Sequence, residues 1–174
     1  VVCEWKADAT VERVKALMER TGRGTLVWAN NHAVVDLLLK KFDEAGITNY
    51  GVSPRHPKQN MQKLYKKEHR GDVFVLSVGR CAHGLNLQYT FHTNVFAQVL
   101  RSSAIMEQSI GRTHRDGQTE PEVYAEILLT EGTDHDTLGA CLVGATFTHQ
   151  TLGNEHKALL ASWEPPPRLP PPEM

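Results

Sequence analysis

Apolar side chains recur every three or four positions in several stretches of this 174-residue chain, a spacing typical of helices with one buried face. Residues 9–20 show it clearly, with Val11, Val14, Leu17 and Met18 on one side and charged residues between them. Similar patterns, in places more polar, predict further helices over residues 32–45, 57–69, 104–115 and 133–163, the last broken around Gly153.

Short apolar runs of strand length separate these helices. The clearest is DVFVLS at residues 72–77, and the others are residues 25–29, 49–52, 92–96 and 122–129. Strands that alternate with helices and are apolar on both faces are typical of a parallel sheet covered by helices on both sides. We therefore predict an α/β fold whose functional loops follow the carboxyl ends of the strands. The segments in those positions are residues 30–32, residues 78–88 and the approach to residue 104.

Composition excludes several classes of protein but does not identify a ligand. The formal net charge is −1, so any surface that binds nucleic acid must be local. No apolar run is long enough to cross a membrane, and the N-terminus lacks the pattern of a signal peptide. Cys3, Cys81 and Cys141 are too few and too far apart for a disulfide framework, which predicts a cytoplasmic protein. Because the first residue is Val, we expect a piece of a longer protein.

Residues 107–118, EQSIGRTHRDGQ, carry the most unusual side chains of the chain. In a helix, Gln108, Gly111, Arg112 and Arg115 would share one stripe. Glycine there costs about 1 kcal/mol relative to alanine, which suggests that something large approaches the backbone. Two guanidiniums on one face repel each other unless an anion lies between them, and their planar donors suit phosphate. The alternative is a solvated basic helix end.

Two further segments have features of a ligand-binding loop. Residues 77–88, SVGRCAHGLNLQ, follow the clearest strand, and Gly79 and Gly84 would let the backbone approach a ligand closely. Asn86 offers an amide to a ribose or to a neighbouring loop. Residues 25–32, TLVWANNH, predict a strand, a polar loop and a helix.

These segments resemble the motifs of superfamily 2 helicases. The matches to the Q-x-x-G-R-x-x-R-x-G-Q form of motif VI in the Swi/Snf-like branch are Gln108, Gly111, Arg112, Arg115, Gly117 and Gln118. The G-L-N-L run resembles motif V, and residues 25–32 resemble motif IV. Their order and spacing resemble the C-terminal RecA-like lobe over residues 9–129. Cys81-Ala82 replaces the usual pair of glycines, and residues 97–104 replace the usual segment before motif VI, which favours a bacterial or phage-type helicase over a chromatin remodeller.

The resemblance implies an ATP-dependent helicase or translocase in which this chain supplies half of the active site. The chain has no G-x-x-x-x-G-K-[ST] loop, so ATP and Mg²⁺ would be held by an N-terminal RecA-like lobe of the same polypeptide. Arg112 and Arg115 would reach the γ-phosphate as arginine fingers, and Gln108 would couple them to ATP or to motif V. The other residues implied in nucleotide binding are Gly84, Asn86 and Gly111. The isolated chain is predicted to be inactive.

The resemblance also implies that loops of this lobe grip nucleic acid phosphates, with DNA favoured over RNA as the partner. The candidates are Asn30, Asn31, Ser77, Val78, Gly79 and Arg80, whose small polar groups and amides suit a phosphate backbone. Residues 57–70 add a basic cluster that includes Lys66 and Lys67. These lysines predict further phosphate contacts, and a solvated helix face is the equal alternative.

We expect three parts in the chain: a RecA-like domain over residues 1–131, a helical extension over residues 132–163 and an extended Pro-rich tail over residues 164–174. The alternative function is a non-catalytic lobe that binds nucleic acid or protein. A small-molecule transferase of unrelated doubly wound fold would need a glycine-rich turn after the first strand, where this chain has WANN.

No metal site is predicted. Cys81 with His83, and Asp134 with Asp136, are the nearest to ligand clusters, but neither has a second half at zinc spacing. Thr133 or Asp134 is better interpreted as the residue that caps the following helix.

Overall fold

The computed structural model describes residues 4–130, 132–153 and 157. The strands are β1 (Thr25–Ala29), β2 (Asn49–Val52), β3 (Val73–Ser77), β4 (Thr93–Phe96) and β5 (Tyr124–Ile127). The helices are α1 (Glu4–Thr21), α2 (His32–Glu44), α3 (Lys58–Lys63), α4 (Val78–Cys81), α5 (Ser103–Ile110) and α6 (Thr133–Leu152), with a 3₁₀ turn at Lys67–His69. Within these residues, none of the helices combines the length and apolar character needed to cross a membrane.

The five strands form one parallel sheet in the order β2-β3-β1-β4-β5. Trp28 of β1 pairs with Leu76 of β3 on one side and with Phe96 of β4 on the other. Every residue of β1, β3 and β4 is buried, as expected for central strands covered on both faces. The predicted fold, a RecA-like parallel sheet with helices on both faces, is confirmed.

Alternate strand residues divide the core between two faces. One face packs against α1 and α2 and includes Val27, Ala29, Val73, Val75 and Val95. The other packs against α4, α5 and α6 and includes Leu26, Trp28, Phe74, Leu76 and Phe96. Cys141 of α6 lies in this second core cluster, so the predicted helical extension packs on the sheet domain. Its continuation beyond Gly153 and the Pro-rich tail fall outside the described residues.

The helix that was predicted over residues 104–115 ends at Ile110, and Gly111 is its C-cap. Beyond it the amides of Thr113 and His114 both donate to the Ile110 carbonyl, so the chain continues as turns. The prediction that Arg112 and Arg115 share a helical stripe was therefore wrong. Buried polar partners compete with the helix here, because Thr113 Oγ1 accepts from Asn94 Nδ2 at 2.8 Å.

The polar helix that was predicted over residues 57–69 is also interrupted. It divides into α3 and the 3₁₀ turn, and Leu64 between them is fully buried in the core. The residues after β3, predicted as a loop, begin with the short helix α4. Gly132, and neither Thr133 nor Asp134, is the N-cap of α6, so that prediction was wrong as well.

Candidate active site

The turn after α5 is joined to the loop that contains the G-L-N-L run. The amide of Leu87 donates to the carbonyl of Arg112 at 2.9 Å, and Arg112 Nη1 donates to the carbonyl of Leu85 at 3.1 Å. Gln88 Nε2 donates to the carbonyl of Asp116 at 3.4 Å. The two segments that carry the candidate residues therefore form one unit. The G-L-N-L loop, residues 84–87, is hydrogen-bonded to residues 111–118, which we call the arginine turn.

Arg112 is half-buried and oriented by the backbone. Besides the bond to Leu85, its Nε donates to the carbonyl of Gln108 at 3.0 Å. Burial and the neighbouring positive charge of Arg115 lower the pKa of Arg112 from its ordinary value. Part of its donor set is already used within the protein, so its guanidinium is held in one place.

Arg115 is exposed, and its Nη1 donates to the side-chain oxygen of Asn86, which is exposed too. Among the described residues, no carboxylate forms an ion pair with Arg112 or Arg115. A cluster of two guanidiniums without a counter-ion favours the binding of an anion. The sequence predicted that Asn86 meets a ribose or a neighbouring loop, and in the structure its side chain meets Arg115. Contact of these residues with a nucleotide stays a prediction.

The space beside Arg115 is open to solvent. A depression of about 700 Å³ borders this side chain, and its wall includes His114, Gln118, Pro121 and Lys157. The carboxylates of Asp116 and Glu120 also line this depression. His114, which precedes Arg115, is exposed.

Gly117 and Gln118 shape the turn. Gly117 has φ +90°, and a Cβ there would lie 2.8 Å from the hydroxyl oxygen of Tyr89. Gln118 Nε2 donates to the carbonyls of Phe91 and Thr113, each at 3.0 Å. Both matched motif positions therefore have structural reasons that require no ligand.

Gln108 lies in the last turn of α5, and Gly111 is its C-cap. A Cβ at Gly111 would lie 3.0 Å from the carbonyl oxygen of Glu107, so the preceding helical turn crowds this position. The approach of a large group to this backbone stays a prediction. Gln108 has a buried Oε1 with no hydrogen-bond partner in the described part of the chain. This oxygen can accept a bond from a group that arrives at the site. Gly84 has φ +76°, and nothing lies within 4 Å of a Cβ built there.

The arginine turn and the candidate nucleic-acid residues lie at opposite edges of the sheet. Because α5 follows the carboxyl end of β4, it runs back to the edge where the parallel strands begin. At that edge the amide of Tyr124, the first residue of β5, donates to the carbonyl of His92, just before β4. Asn30, Asn31 and Ser77 instead mark the carboxyl ends of β1 and β3.

At the carboxyl edge, both asparagines are exposed and partly used by the fold. Asn31 caps α2, because its side chain accepts from the amide of Val34 at 3.0 Å. The amide of Asn30 donates to Gln98 Oε1 at 2.7 Å, which joins the loops after β1 and β4. Sequence reasoning missed Gln98, although a polar residue two positions after a buried strand was a usable signal.

Ser77 and Val78 are buried, whereas Gly79 and Arg80 of α4 are exposed. These two residues therefore present an amide-rich surface and a guanidinium at the carboxyl edge of β3. Their proximity to Asn30 and Asn31 follows from the direct pairing of β1 with β3.

Lys66 and Lys67 do not join this group. They precede β3, so they lie at the opposite edge, where Arg70 Nη2 donates to the carbonyl of Tyr89 at 2.8 Å. Both lysines are exposed, and Lys66 Nζ lies 3.7 Å from Glu68. The structure thus places the basic cluster beside the arginine turn and away from the other nucleic-acid candidates.

The residues considered as metal ligands have other partners. Cys81 is buried, which raises the pKa of its thiol to about 12. Asp134 accepts bonds from Lys6 Nζ at 2.6 Å and from the amide of Thr130 at 2.8 Å. Burial would raise the pKa of Asp134, but these bonds lower it overall. Over the described ranges, no group of three or more His, Cys, Asp or Glu side chains could hold a metal ion.

Comparison with known proteins supports the fold more strongly than the activity. No protein-family model matches the chain. The E3 ubiquitin-protein ligases SHPRH of Homo sapiens and Mus musculus are each 23% identical to it over 152 residues, which is 87% of this chain and 9% of the relative. The chain thus spans less than a tenth of the length of these curated relatives. Both are mammalian, so the bacterial or phage-type class stays a prediction.

One solved structure is similar to this chain in shape. The crystal structure of the C-terminal part of the Fun30 ATPase domain superposes with a TM-score of 0.67 at 17% identity. The match covers 78% of this chain and 44% of that chain. At this identity, the likeness shows a shared fold.

Proposed function

We propose that this chain is the C-terminal motor lobe of an ATP-dependent helicase or translocase of superfamily 2, in its Swi/Snf-like branch. The observation that carries the proposal is the pair Arg112 and Arg115, which has no counter-ion among the described residues and is joined to the G-L-N-L loop. The fold shared with part of the Fun30 ATPase domain supports it. DNA is the proposed partner, in preference to RNA, and a cytoplasmic location remains part of the proposal.

In the proposed enzyme, MgATP is held by an N-terminal lobe and supplies the phosphoryl group that is transferred to water. The donor set of this lobe suits the phosphate end of that ligand, because exposed guanidinium donors match phosphate oxygens. Arg115 would contact the γ-phosphate. Arg112, fixed by two carbonyls, would add positive charge beside it. An arginine finger is worth about 10³–10⁵ in rate, which is about 4–7 kcal/mol of barrier.

The opposite edge of the sheet is the proposed track for nucleic acid. Asn30, Asn31, Gly79 and Arg80 are exposed at neighbouring carboxyl ends and offer amides and one guanidinium, and Ser77 begins that loop. Such groups position a phosphate backbone without reading bases. The loop of residues 77–88 then runs from this track to the arginine turn, which supports a link between nucleic-acid binding and ATP hydrolysis.

The test uses the longer polypeptide in which the N-terminal lobe precedes this chain. We expect DNA to stimulate ATP hydrolysis by the wild type, and Arg115→Ala to abolish turnover while ATP still binds. Lys40→Ala is the control, because Lys40 is an exposed cation of α2, on the other face of the sheet. If the wild type hydrolyses no ATP and the lobe binds DNA with a steep salt dependence, the non-catalytic binding module replaces this proposal.

A further inference from the structure

We propose that Asn86 is a positioning residue. Its side chain orients the Arg115 guanidinium before the phosphate binds, and the guanidinium then leaves Asn86 to bind the phosphate. This inference rests on the proposed function. The contact on which it is built joins Arg115 Nη1 to the side-chain oxygen of Asn86, and both side chains are exposed. The sequence alone suggested only that Asn86 would meet a ribose or a neighbouring loop.

Arg115 depends on Asn86 for the orientation of its side chain, because no other described residue forms a hydrogen bond or an ion pair with it. The turn after α5 is not helical, and Arg115 makes its one side-chain hydrogen bond there with Asn86. Arg112 lies beside it as a fixed like charge, and the repulsion between the two guanidiniums disfavours their close approach. An acceptor on the facing loop opposes this repulsion.

Asn86 is itself placed accurately by its neighbours. Leu85 and Leu87 are both buried, and both are bonded to Arg112: the Leu85 carbonyl accepts from its guanidinium and the Leu87 amide donates to its carbonyl. Gly84, with a positive φ, starts this turn. The side chain between the two leucines must therefore point outward, and Arg115 lies where it points.

A neutral amide suits a temporary holder better than a carboxylate does. A hydrogen bond between a guanidinium and an amide is weaker than the charge-assisted, bidentate pair that a guanidinium forms with phosphate. Transfer of Arg115 from Asn86 to a phosphate is thus favourable. A carboxylate at position 86 would form an ion pair with Arg115 and would compete with the phosphate for it.

The experiment measures kcat and KM for ATP in the longer polypeptide, at saturating DNA, for Asn86→Ala and Asn86→Asp. We expect Asn86→Ala to lower kcat by up to about tenfold, because an Arg115 side chain that is no longer oriented must be ordered at the phosphate, with KM within about twofold. Asn86→Asp should lower kcat further at low salt and recover part of it at high salt, since the new ion pair is screened. His83→Ala, an exposed change on the same loop, is the control and should leave kcat unchanged.

The same substitution made in the Arg115→Lys variant distinguishes a loss of positioning from a loss of folding. In Arg115→Lys, Asn86→Ala should lower kcat by less than about twofold, because the guanidinium that it orients is gone. An equal fall in both backgrounds, or a wild-type kcat in both Asn86 variants, overturns the inference while the proposed function stands. A wild type that hydrolyses no ATP overturns the proposed function, and this inference with it.

Discussion

Asn94 in β4 and Thr113 in the arginine turn are joined by a buried hydrogen bond of 2.8 Å. The same asparagine accepts from Trp28 Nε1 at 3.1 Å, so a chain of polar contacts runs from β1 through β4 to the turn. Neither residue attracted notice in the sequence. Their contact fixes the position of the arginine turn relative to β4, and therefore the position of Arg112 and Arg115.

Replacing Asn94 by leucine should destabilise the chain substantially. The indole of Trp28 and the carbonyl of Tyr124 would each lose a buried partner, so we expect the free energy of unfolding to fall by about 2–4 kcal/mol. Urea unfolding of the 174-residue chain measures this.

The matched control is Thr93→Val in the same strand. Thr93 is fully buried, and its hydroxyl has no hydrogen-bond partner within the described residues. Valine should therefore leave the stability unchanged or raise it by up to about 1 kcal/mol. Equal losses for the two variants would mean that the Asn94 network contributes nothing specific.

Removing the two arginines should affect stability differently. Arg112→Ala breaks bonds to the carbonyls of Gln108 and Leu85 between two segments, so we expect a loss of about 1–2 kcal/mol of folding free energy as well as of activity. Arg115→Ala removes an exposed side chain and should change stability by less than about 0.5 kcal/mol. Thermal melting of both variants checks this, and a large fall for Arg115→Ala would contradict the assignment of this residue to ligand binding.

Gly117→Ala should distort the arginine turn. The residue has φ +90°, and the new Cβ would lie 2.8 Å from the ring hydroxyl of Tyr89. We expect a loss of about 1–3 kcal/mol in the free energy of unfolding, part from backbone strain and part from the clash.

Two variants separate these causes. Gly84→Ala has a similar positive φ but open space around its Cβ, so it reports the strain alone. Adding Tyr89→Ala to Gly117→Ala should recover the steric part, as measured by chemical unfolding. If Gly84→Ala and Gly117→Ala cost the same, the contact with Tyr89 is unimportant.

The central strands β1 and β3 could be predicted from the sequence because both of their faces are buried. The runs at β1 and β3 are apolar at nearly every position, and the predicted β1, residues 25–29, has the bounds that the structure shows. The C-terminal end of α5 could not be predicted in this way. The predicted stripe of Gln108, Gly111, Arg112 and Arg115 continues past Ile110. The bonds of Thr113 to Asn94 and of Gln118 to Phe91, which compete with the helix, come from distant parts of the chain.

The candidate site divides in the same manner. Local sequence matched the residues of the arginine turn and of the G-L-N-L loop, and both lie together in the structure. Sequence reasoning grouped Lys66 and Lys67 with Asn30 and Ser77, although the fold separates them across the length of β3. The edge of the sheet at which a loop lies depends on the direction in which the chain connects the strands. A pattern of charged residues in the sequence carries no information on that direction.

Salt dependence of DNA binding should separate the two edges. The logarithm of the binding constant falls as the logarithm of the salt concentration rises. Each phosphate contact that is removed makes this slope less steep by about 0.9 on duplex DNA. We expect Arg80→Gln to lower the slope by about that amount, because Arg80 is exposed at the carboxyl edge. The double variant Lys66→Gln/Lys67→Gln should leave the slope unchanged, since both lysines lie at the other edge. A slope that falls by about 2 in the double variant would place the basic cluster on the DNA.

The isolated chain should hydrolyse no ATP, with or without DNA. Its described residues offer two guanidiniums for phosphate, and its sequence has no G-x-x-x-x-G-K-[ST] loop, which the proposal assigns to the N-terminal lobe. Adding the N-terminal lobe as a separate polypeptide should restore DNA-stimulated turnover in proportion to the complex that forms, and Arg115→Ala in this chain should remove it. Steady release of phosphate by the purified chain, unaffected by Arg115→Ala, would show that the chain contains a complete active site elsewhere and that the arginine pair has another purpose.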